Sequence, residues 1–371
     1  MKKVGLIINP IAGMGGPVGL KGTDGSAILT EALKRGARPH AQQRCMEALK
    51  QLTPLQDQIE LLTCPDKMGQ AAAEKYGFSP RVVGTISTSQ TTAADTQNAA
   101  QLMRDAGVDL LLFVGGDGTA RDIYNAVGDS VVTLGIPAGV KIHSGVYASN
   151  PMDAGRLAVM YLKEQTRTVI EAEVMDIDEE SFRRDILSAR LFGYLKIPFE
   201  KMYVQCTKAA SSSTEAHDQQ AIAHDIIDHM IDDCYYIIGP GTTTRAIMEQ
   251  LNLSYTLLGI DLIYNRKLVG KDLSEAQLLK KIKDQPTKLI ITPIGGQGYI
   301  LGRGNQQISP AVIRLLGKDN IIIIATGQKI RSLYGRPLLV DTGCAATNQL
   351  LSDYYKVITA YRESIVYKVI H

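Results

Sequence analysis

The sequence predicts an α/β protein of two domains, the first built on a largely parallel sheet and the second mixed. Three observations carry that expectation. Short apolar runs alternate with longer amphipathic patterns, and nearly every apolar run stops at Gly, Pro or Ser. At 371 residues the chain is also too long for one average domain and long enough to bury two cores.

In chain order, VGLIINP (residues 4–10) reads as a buried strand, AQQRCMEALKQL (41–52) as an amphipathic helix and IELLTCP (59–65) as the next strand. MGQAAAEKYG follows as a helix closed by Gly77, and RVVGTIS (81–87) as a third strand. TAADTQNAAQLMRDAG predicts a helix with Thr91 or Thr92 as N-cap and Gly107 as C-cap. DLLLFVG (109–115) and VVTLGIPAG (131–139) give a fourth and a fifth strand. Around Thr166 the texture changes: TVIEAEVMDIDEESF and ARLFGYLKIP alternate like strands with no long helix between them, which favours a change of domain.

A polar patch, KAASSSTEAHDQQ (208–220), lacks apolar periodicity and reads as a mobile loop. The α/β rhythm then resumes with helix AIAHDIIDHMIDD, strand CYYIIGPG, helix TTTRAIMEQL, strand TLLGIDLIY, helix SEAQLLKKIKD, strand KLIITPIGG, helix SPAVIRLLG and strand NIIIIATG. Three segments result: 1–165, 166–341, and a C-terminal stretch, 342–371, able to pack back on either domain.

Composition narrows the partners. Forty basic against 38 acidic residues give a net charge of +2, so no field of one sign points to nucleic acid or a membrane surface. Small molecules and further copies of the chain, as a homo-oligomer, remain. Five scattered cysteines without a CxxC pair read as free reduced thiols. The opening MKKVGLIINP is far short of a signal-peptide core, and no apolar run approaches the ~20 residues that span a bilayer. A cytoplasmic location is expected.

The stretch LLFVGGDGTARDIYNAVG (111–128) places three glycines and an aspartate between the fourth strand and a helix. Where a parallel strand ends and a helix begins, backbone N–H groups and the helix dipole favour phosphate. Gly115, Gly116 and Gly118 remove the Cβ atoms that would hold a phosphate away and permit positive φ. A carboxylate beside an anion site suits a bridging cation or the removal of a proton from an attacking hydroxyl, which makes Asp117 the candidate base. The plainer reading is a turn with Asp117 as a helix cap. Thr119 would cap the helix or offer its hydroxyl to phosphate or metal-bound water.

GGDGT directly after a buried strand resembles the signature shared by the NAD kinase and diacylglycerol kinase-like superfamily. NPIAG (9–13) is similar to the Asn-Pro element after the first strand of those kinases, and GIPAGVKIHSGVYA (135–148) to their later phosphate-side loop. The start NPIAGMGGPVGLKGTDG and GGDGTARD resemble, more narrowly, the polyphosphate/ATP-NAD kinase-like branch. The resemblance covers about the first 165 residues and implies a Rossmann-like nucleotide-binding domain of that type, followed by an acceptor or lid domain.

It further implies ATP or polyphosphate as phosphoryl donor, Mg²⁺, and NAD as acceptor. Asp117 would match the catalytic aspartate; Gly115, Gly116, Gly118 and Thr119 would hold phosphates; Asn9, Pro10 and Gly13 would flank the donor nucleotide. Lys141 and Ser144 lie where a cation and a hydroxyl could meet the transferring phosphate, and Asp24 and Asp122 are candidates for the metal. His143, beside Lys141, reads as local structure. One departure concerns the acceptor: NAD kinases carry an Asn-Glu or Asn-Asp dipeptide that holds the dinucleotide, and no Asn here is followed by an acid.

The second half has glycine turns of its own. GPGTTTR (239–245) offers backbone amides together with Gly241, Thr242, Thr243 and Arg245 for a phosphate, or else forms a Thr-capped turn. PIGGQGYILGRGN carries Arg303 as an anion clamp or builds a plain hairpin. Asp261 and Asn265 either bond a ribose or close a turn. Neither GxxxxGK[ST] nor a complete GxGxxG occurs. Three functions are compatible with these residues: a kinase forming NADP from NAD, a kinase of the same mechanism acting on a lipid, sugar or nucleoside hydroxyl, and a nucleotide sensor without turnover.

Overall fold

The computed structural model describes all residues except 21–25, 87–90, 141, 178–188, 201, 205–212 and 295. It divides into two compact units, one of Met1–Met14 with Gly22–Thr207 and one of Gly15–Lys21 with Lys208–His371.

The first unit is built on five parallel strands, β1 (Lys2–Ile8), β2 (Ile59–Thr63), β3 (Arg81–Val82), β4 (Leu110–Gly115) and β5 (Thr133–Pro137), in the order β3-β2-β1-β4-β5. This is the Rossmann-like parallel sheet that the alternating pattern predicts. Every residue of β4 and β5 is buried, as a sheet covered on both faces requires. After α1 (Ser26–Lys34), the coverings are α2 (Ala41–Leu52), α3 (Gln70–Lys75), α4 (Ala93–Asp105), α5 (Asp117–Val127) and α6 (Pro151–Leu162), with α2 packed on α6 and α4 on α5. Leu6, Ile8, Phe113, Val114 and Ile136 lie at its centre without solvent contact. Each such side chain contributes ~1.5–3 kcal/mol of burial free energy.

Local signals set the ends of these elements. Thr92 caps α4: the Asp95 carboxylate reaches back to the Thr92 N–H at 2.7 Å and its hydroxyl at 2.8 Å. Gly107, at φ +70, ends the same helix in the left-handed conformation that glycine adopts without a Cβ penalty. Asn150 caps α6 by accepting the Asp153 N–H at 2.8 Å. The third strand is shorter than its apolar run, because only Arg81 and Val82 pair with β2.

The two strand-like runs after Thr166 are an antiparallel pair, β6 (Val169–Ile177) and β7 (Ala189–Pro198). They do not open the second unit. The pair packs on α5 and beside β5, Gly193 of β7 lies where a Cβ would strike the Tyr124 ring at 2.2 Å, and Val174, Leu195 and Ile197 join the first core. The change of texture at residue 166 is thus a change from parallel to antiparallel pairing within one unit, which continues to Thr207.

Among the described residues the second unit holds nine strands: β8 (Tyr235–Ile238), β9 (Asp261–Tyr264), β10 (Lys267–Gly270), β11 (Thr287–Ile291), β12 (Tyr299–Leu301), β13 (Ile321–Ile324), β14 (Leu338–Val340), β15 (Tyr354–Ala360) and β16 (Glu363–Ile370). Their order is β10-β9-β8-β11-β13-β15-β16-β14-β12. Strands β8, β11, β13 and β15 are parallel, while β9, β10 and β16 introduce antiparallel pairs. The C-terminal stretch belongs here, since β15 and β16 stand inside this sheet. The helices are α7 (Ser213–Asp228), α8 (Thr242–Gln250), α9 (Glu275–Ile282), α10 (Pro310–Leu316), α11 (Gly327–Arg331) and α12 (Ala345–Leu351).

The expected mobile loop at 208–220 is corrected for its described part: residues 213–220 form the first turns of α7. Apolar periodicity is missing there because the buried positions Glu215 and Gln219 are polar. Glu215 accepts the Thr326 hydroxyl at 3.3 Å and Gln219 donates to Thr242 at 3.4 Å, and the face continues through buried Ile222, Ala223 and Ile226. Residues 208–212 lie outside the described part.

Cys45, Cys64, Cys234 and Cys344 are free thiols, and burial pushes the Cys64 thiol up to about 12. Cys206 lies outside the described residues. Among the described residues no helix is long and apolar enough to cross a membrane.

Gly155 of α6 marks a close contact with α2. A Cβ there would meet the Ala48 carbonyl oxygen of α2 at 2.3 Å and Gln51 Cβ at 2.7 Å. Alanine favours the helix by ~1 kcal/mol over glycine, but a clash with backbone has no rotamer to relieve it, and overpacking costs ~1–3 kcal/mol. Gly155→Ala is therefore expected to lower the urea midpoint of unfolding. A midpoint equal to or above that of the parent chain would show that α2 and α6 separate without cost.

Candidate active site

Strand order decides where the site lies. From β1 the chain first adds β2 and β3 on one side, then crosses to add β4 and β5 on the other, so β1 and β4 are neighbours whose following loops diverge. A crevice opens at the carboxyl ends of two such strands. The loop after β1 begins at Asn9, the glycine turn follows β4, and the loop from Ala138 leaves β5 beside it. The sequence motifs at 9–13, 115–119 and 135–148 are thereby brought to one edge of the first unit.

Three residues, Asn9, Gly115 and Tyr147, join these loops. Asn9 donates its N–H to the Val114 carbonyl at 3.0 Å and its side-chain amide to Thr119 Oγ1 at 3.0 Å, while its Oδ1 accepts the Ile11 N–H at 3.2 Å. Gly115 O accepts the N–H groups of Ala138 at 2.9 Å and Gly139 at 3.0 Å. Tyr147, fully buried, donates its hydroxyl to Gly116 O at 2.5 Å and meets Phe113 edge-on.

Glycine is required at two of these positions. Gly115 leaves the space that the Thr119 side chain fills, since a Cβ there would lie 2.3 Å from Thr119 Oγ1. Gly13, at φ +75, lies against Ala138 O at 1.9 Å and His40 Nε2 at 2.6 Å, measured from the Cβ it lacks. His40 Nε2 stands 3.2 Å from that same Ala138 carbonyl, and Arg44 Nε donates to Pro137 O at 3.1 Å. The N-terminal end of α2 thus holds the carbonyls at the end of β5.

Asp117 is the first residue of α5, with Gly116 as N-cap. Its carboxylate is 8% exposed and turned to the third loop: Oδ1 accepts the Ser144 N–H at 3.0 Å, and Oδ2 accepts the His143 N–H at 2.8 Å and faces His143 Nδ1 at 3.1 Å. Gly116 and Gly118, on either side, are partly open to solvent. The first N–H groups of any α-helix have no partner within it, so this edge presents donors to an anion beside a held carboxylate.

Ser144 contributes its backbone to that carboxylate and its side chain to β6. Its hydroxyl donates to Met175 O and accepts the Met175 N–H, both at 2.9 Å, where the β6–β7 register shifts. Asp122 is set apart from Asp117: five residues further on, it lies ~140° around the helix, is buried, and accepts a bond from Gln97 of α4 at 3.3 Å. Asp24 and Lys141 lie outside the described residues. Among the described residues no three His, Cys, Asp or Glu side chains gather into a metal-binding group, so the described carboxylates do not fit a protein-built Mg²⁺ cage.

In the second unit, GPGTTTR follows β8 and opens α8. Gly241 is at φ +136, Thr242 takes a bond from Gln219, Thr243 is fully buried, Thr244 donates to Gly241 O at 2.9 Å, and Arg245 lies along the helix toward Glu249 at 3.2 Å. Asp261 is enclosed by its own loop, accepting Thr256 N–H at 2.7 Å, Thr256 hydroxyl at 2.7 Å and Asp272 N–H at 3.0 Å. Asn265 bonds Asp233 in a turn, and Arg303 stacks on Tyr299 with its guanidinium carbon 4.3 Å from the ring centre. These last three are engaged within the second unit, Asn265 by a residue 32 positions away.

The sequence assigns His143 to local structure and gives no sign of the other side chains that close the site, Tyr147, His40 and Arg44. Their roles arise from contacts across 26 to 98 residues of chain, for which the local sequence carries no signal.

Comparison with known families finds a match in each half of the chain. Residues 4–166 match the ATP-NAD kinase N-terminal domain and residues 231–369 match the ATP-NAD kinase C-terminal domain. Searches of curated proteins and of solved structures return no match. With both of its domains matched, in order and over most of its length, the chain belongs to the ATP-NAD kinase family.

Proposed function

We propose that this protein transfers the terminal phosphoryl group of ATP, or of polyphosphate, to the 2′-hydroxyl of NAD, forming NADP in the cytoplasm. The observation that carries the reading is the pairing of open donors with a held carboxylate: the N-terminus of α5 at the β1/β4 crevice, with Asp117 fixed by two backbone N–H groups. Phosphoryl transfer asks little covalent chemistry of an enzyme and is dominated by placement and by charge stabilisation.

In this reading the amides at Gly116, Gly118 and Thr119 receive phosphate oxygens, and Gly115 lets Thr119 sit close enough to keep the turn tight. Asn9, Pro10 and Gly13 line the donor side, with Asn9 holding Thr119 in place. Ser144 acts through its backbone, as its hydroxyl is engaged by Met175. Asp117 supplies the negative charge that draws the proton from the acceptor hydroxyl. Mg²⁺ would enter on the phosphates of ATP, where it neutralises their charge. The turn at Gly241, Thr242, Thr243 and Arg245 is the second unit's candidate for acceptor binding, and the loop around Asp261 a framework for it.

A second reading has its own support. The Asn-Glu or Asn-Asp dipeptide that holds the dinucleotide in NAD kinases is missing, so a kinase of the same mechanism acting on another hydroxyl is the alternative. Incubating the protein with Mg·ATP or polyphosphate and a panel of NAD, NADH, sugars, nucleosides and diacylglycerol separates the two. Phosphate on the 2′ position of NAD is the expected result; a different phosphorylated acceptor, with NAD untouched, replaces it by the alternative.

Asp117→Asn is expected to lower kcat by ~10² to 10⁴ while the Kd for ATP changes less than about tenfold, the pattern for loss of a proton-abstracting group. Binding and turnover falling together, with a lowered Tm, would assign Asp117 to structure alone.

A further inference from the structure

We propose that the second unit carries a diphosphate-binding site at the carboxyl ends of β8 and β11, built on Lys329, Thr243 and the first amides of α8, and that it takes the diphosphate of the acceptor dinucleotide. This rests on the reading of the Gly241 turn as the acceptor's and names the chemical group bound there.

The second sheet has a reversal of its own. From β8 the chain adds β9 and β10 on one side, then β11 and β13 on the other. The next helices go to opposite faces: Ile247 of α8 packs with Ile238, Ile290 and Ile324, whereas Val312 and Ile313 of α10 join Leu289, Ile291 and Ile323. The loops after β8 and β11, two parallel neighbours, therefore part at the sheet edge, where open α/β sheets bind ligands.

Gly241 forms one lip. At φ +136 it caps α8, and the Cβ it lacks would lie 2.6 Å from Thr292 Cγ2, so the two loops touch there. Thr292, on the other lip, accepts a hydrogen bond from the Lys329 ammonium at 3.0 Å. A cation is thereby set beside the first turn of α8. The leading N–H groups of that turn have no partner within the helix, and its glycine cap has no side chain to take them. Phosphate oxygens are held by this combination of backbone donors and a fixed positive charge.

An unsatisfied group points to the same ligand. Thr243, the second residue of α8, is fully buried, and among the described residues its hydroxyl has no hydrogen-bond partner. Side chains of a helix lean toward its N-terminus, so this hydroxyl lies on the side of the open amides. A buried hydroxyl without a partner is destabilising, and a phosphate oxygen at the turn satisfies it. Lys329 is held by its backbone. Thr326, without solvent contact, accepts the Lys329 N–H at 3.3 Å and donates its hydroxyl to Glu215 at 3.3 Å. Among the described residues that buried carboxylate takes this one hydrogen bond, which leaves it lone pairs for a ribose hydroxyl; dinucleotide sites pair an acid with a phosphate turn in this way. GPGTTTR contains no acid, in contrast with GGDGT, so the turn binds without taking a proton. In the kinase reading the donor's phosphates lie on α5, and the diphosphate here is the acceptor's.

The test uses the full chain and measures NAD binding by calorimetry with no phosphoryl donor present. Lys329→Met, which keeps the aliphatic stem, is expected to raise the Kd for NAD by ~10- to 100-fold, the range for a lost charge-assisted hydrogen bond. Thr243→Val exchanges the unpaired hydroxyl for a methyl group of the same shape. Its Tm should equal or exceed the parent's while its Kd for NAD rises by ~3- to 10-fold, a split that a merely structural role does not give. Both variants should bind a non-hydrolysable ATP analogue as the parent does. ADP-ribose, and more weakly inorganic pyrophosphate, should displace NAD from the parent. The proposal is overturned by a Lys329→Met or Thr243→Val chain with the parent's affinity for NAD, by NAD that neither competitor displaces, by affinity for the ATP analogue falling together with that for NAD, or by a parent chain that binds no NAD. The kinase reading fails separately: a parent that binds NAD at this site and phosphorylates nothing in the panel removes that reading and leaves the site, whereas NADP formed by variants of unaltered NAD affinity removes the site alone.

Discussion

Between β1 and β4 the chain changes the side on which it adds strands, and the chemistry of the first unit is placed by that reversal. Two adjacent parallel strands that end together but whose loops part leave an opening no side chain of the sheet can fill. The Asn-Pro segment and the glycine turn occupy its two lips because they are the residues that follow Ile8 and Gly115. β5, paired to β4 in register from Thr133 to Pro137, brings the third loop to the same edge.

Given that frame, each further contact holds a loop rather than adding a reactive group. Asn9 ties the first loop to Thr119, Tyr147 holds Gly116, and His40 with Arg44 holds the carbonyls that end β5. The Asp117 carboxylate is the exception, since it both closes the third loop and bears charge at the opening. A buried polar group of this kind persists only when its partners are supplied, and here the backbone supplies two of them.

Much of this was legible in the order of residues. The five strands of the first sheet, the bounds of α2, the Thr92 cap and the glycine turn at the end of β4 depend on neighbours a few positions apart, so periodicity and cap chemistry reveal them. The β6–β7 pair was visible as two strands but not as part of the first unit, because what fixes it there is Gly193 admitting the Tyr124 ring, a contact between distant residues. The inner face of α7 escaped for another reason: Glu215 and Gln219 are buried on polar partners, which an apolar pattern does not register. The approach of His143 to Asp117 needs a loop to close over 26 residues, and no local rule encodes it.

The seat of Ser144 on Met175 has a consequence for how the molecule can be divided. A shortened chain ending near Thr166 would keep the glycine turn, the aspartate and all five parallel strands, yet it would lack the irregular strand edge into which Ser144 inserts its hydroxyl. The third loop would then lose its outer anchor at Ser144, and the clasp on the aspartate would depend on the remaining ties of that loop to β5 and to Gly116. The full set of contacts around that carboxylate is therefore a property of a segment longer than the five-stranded core.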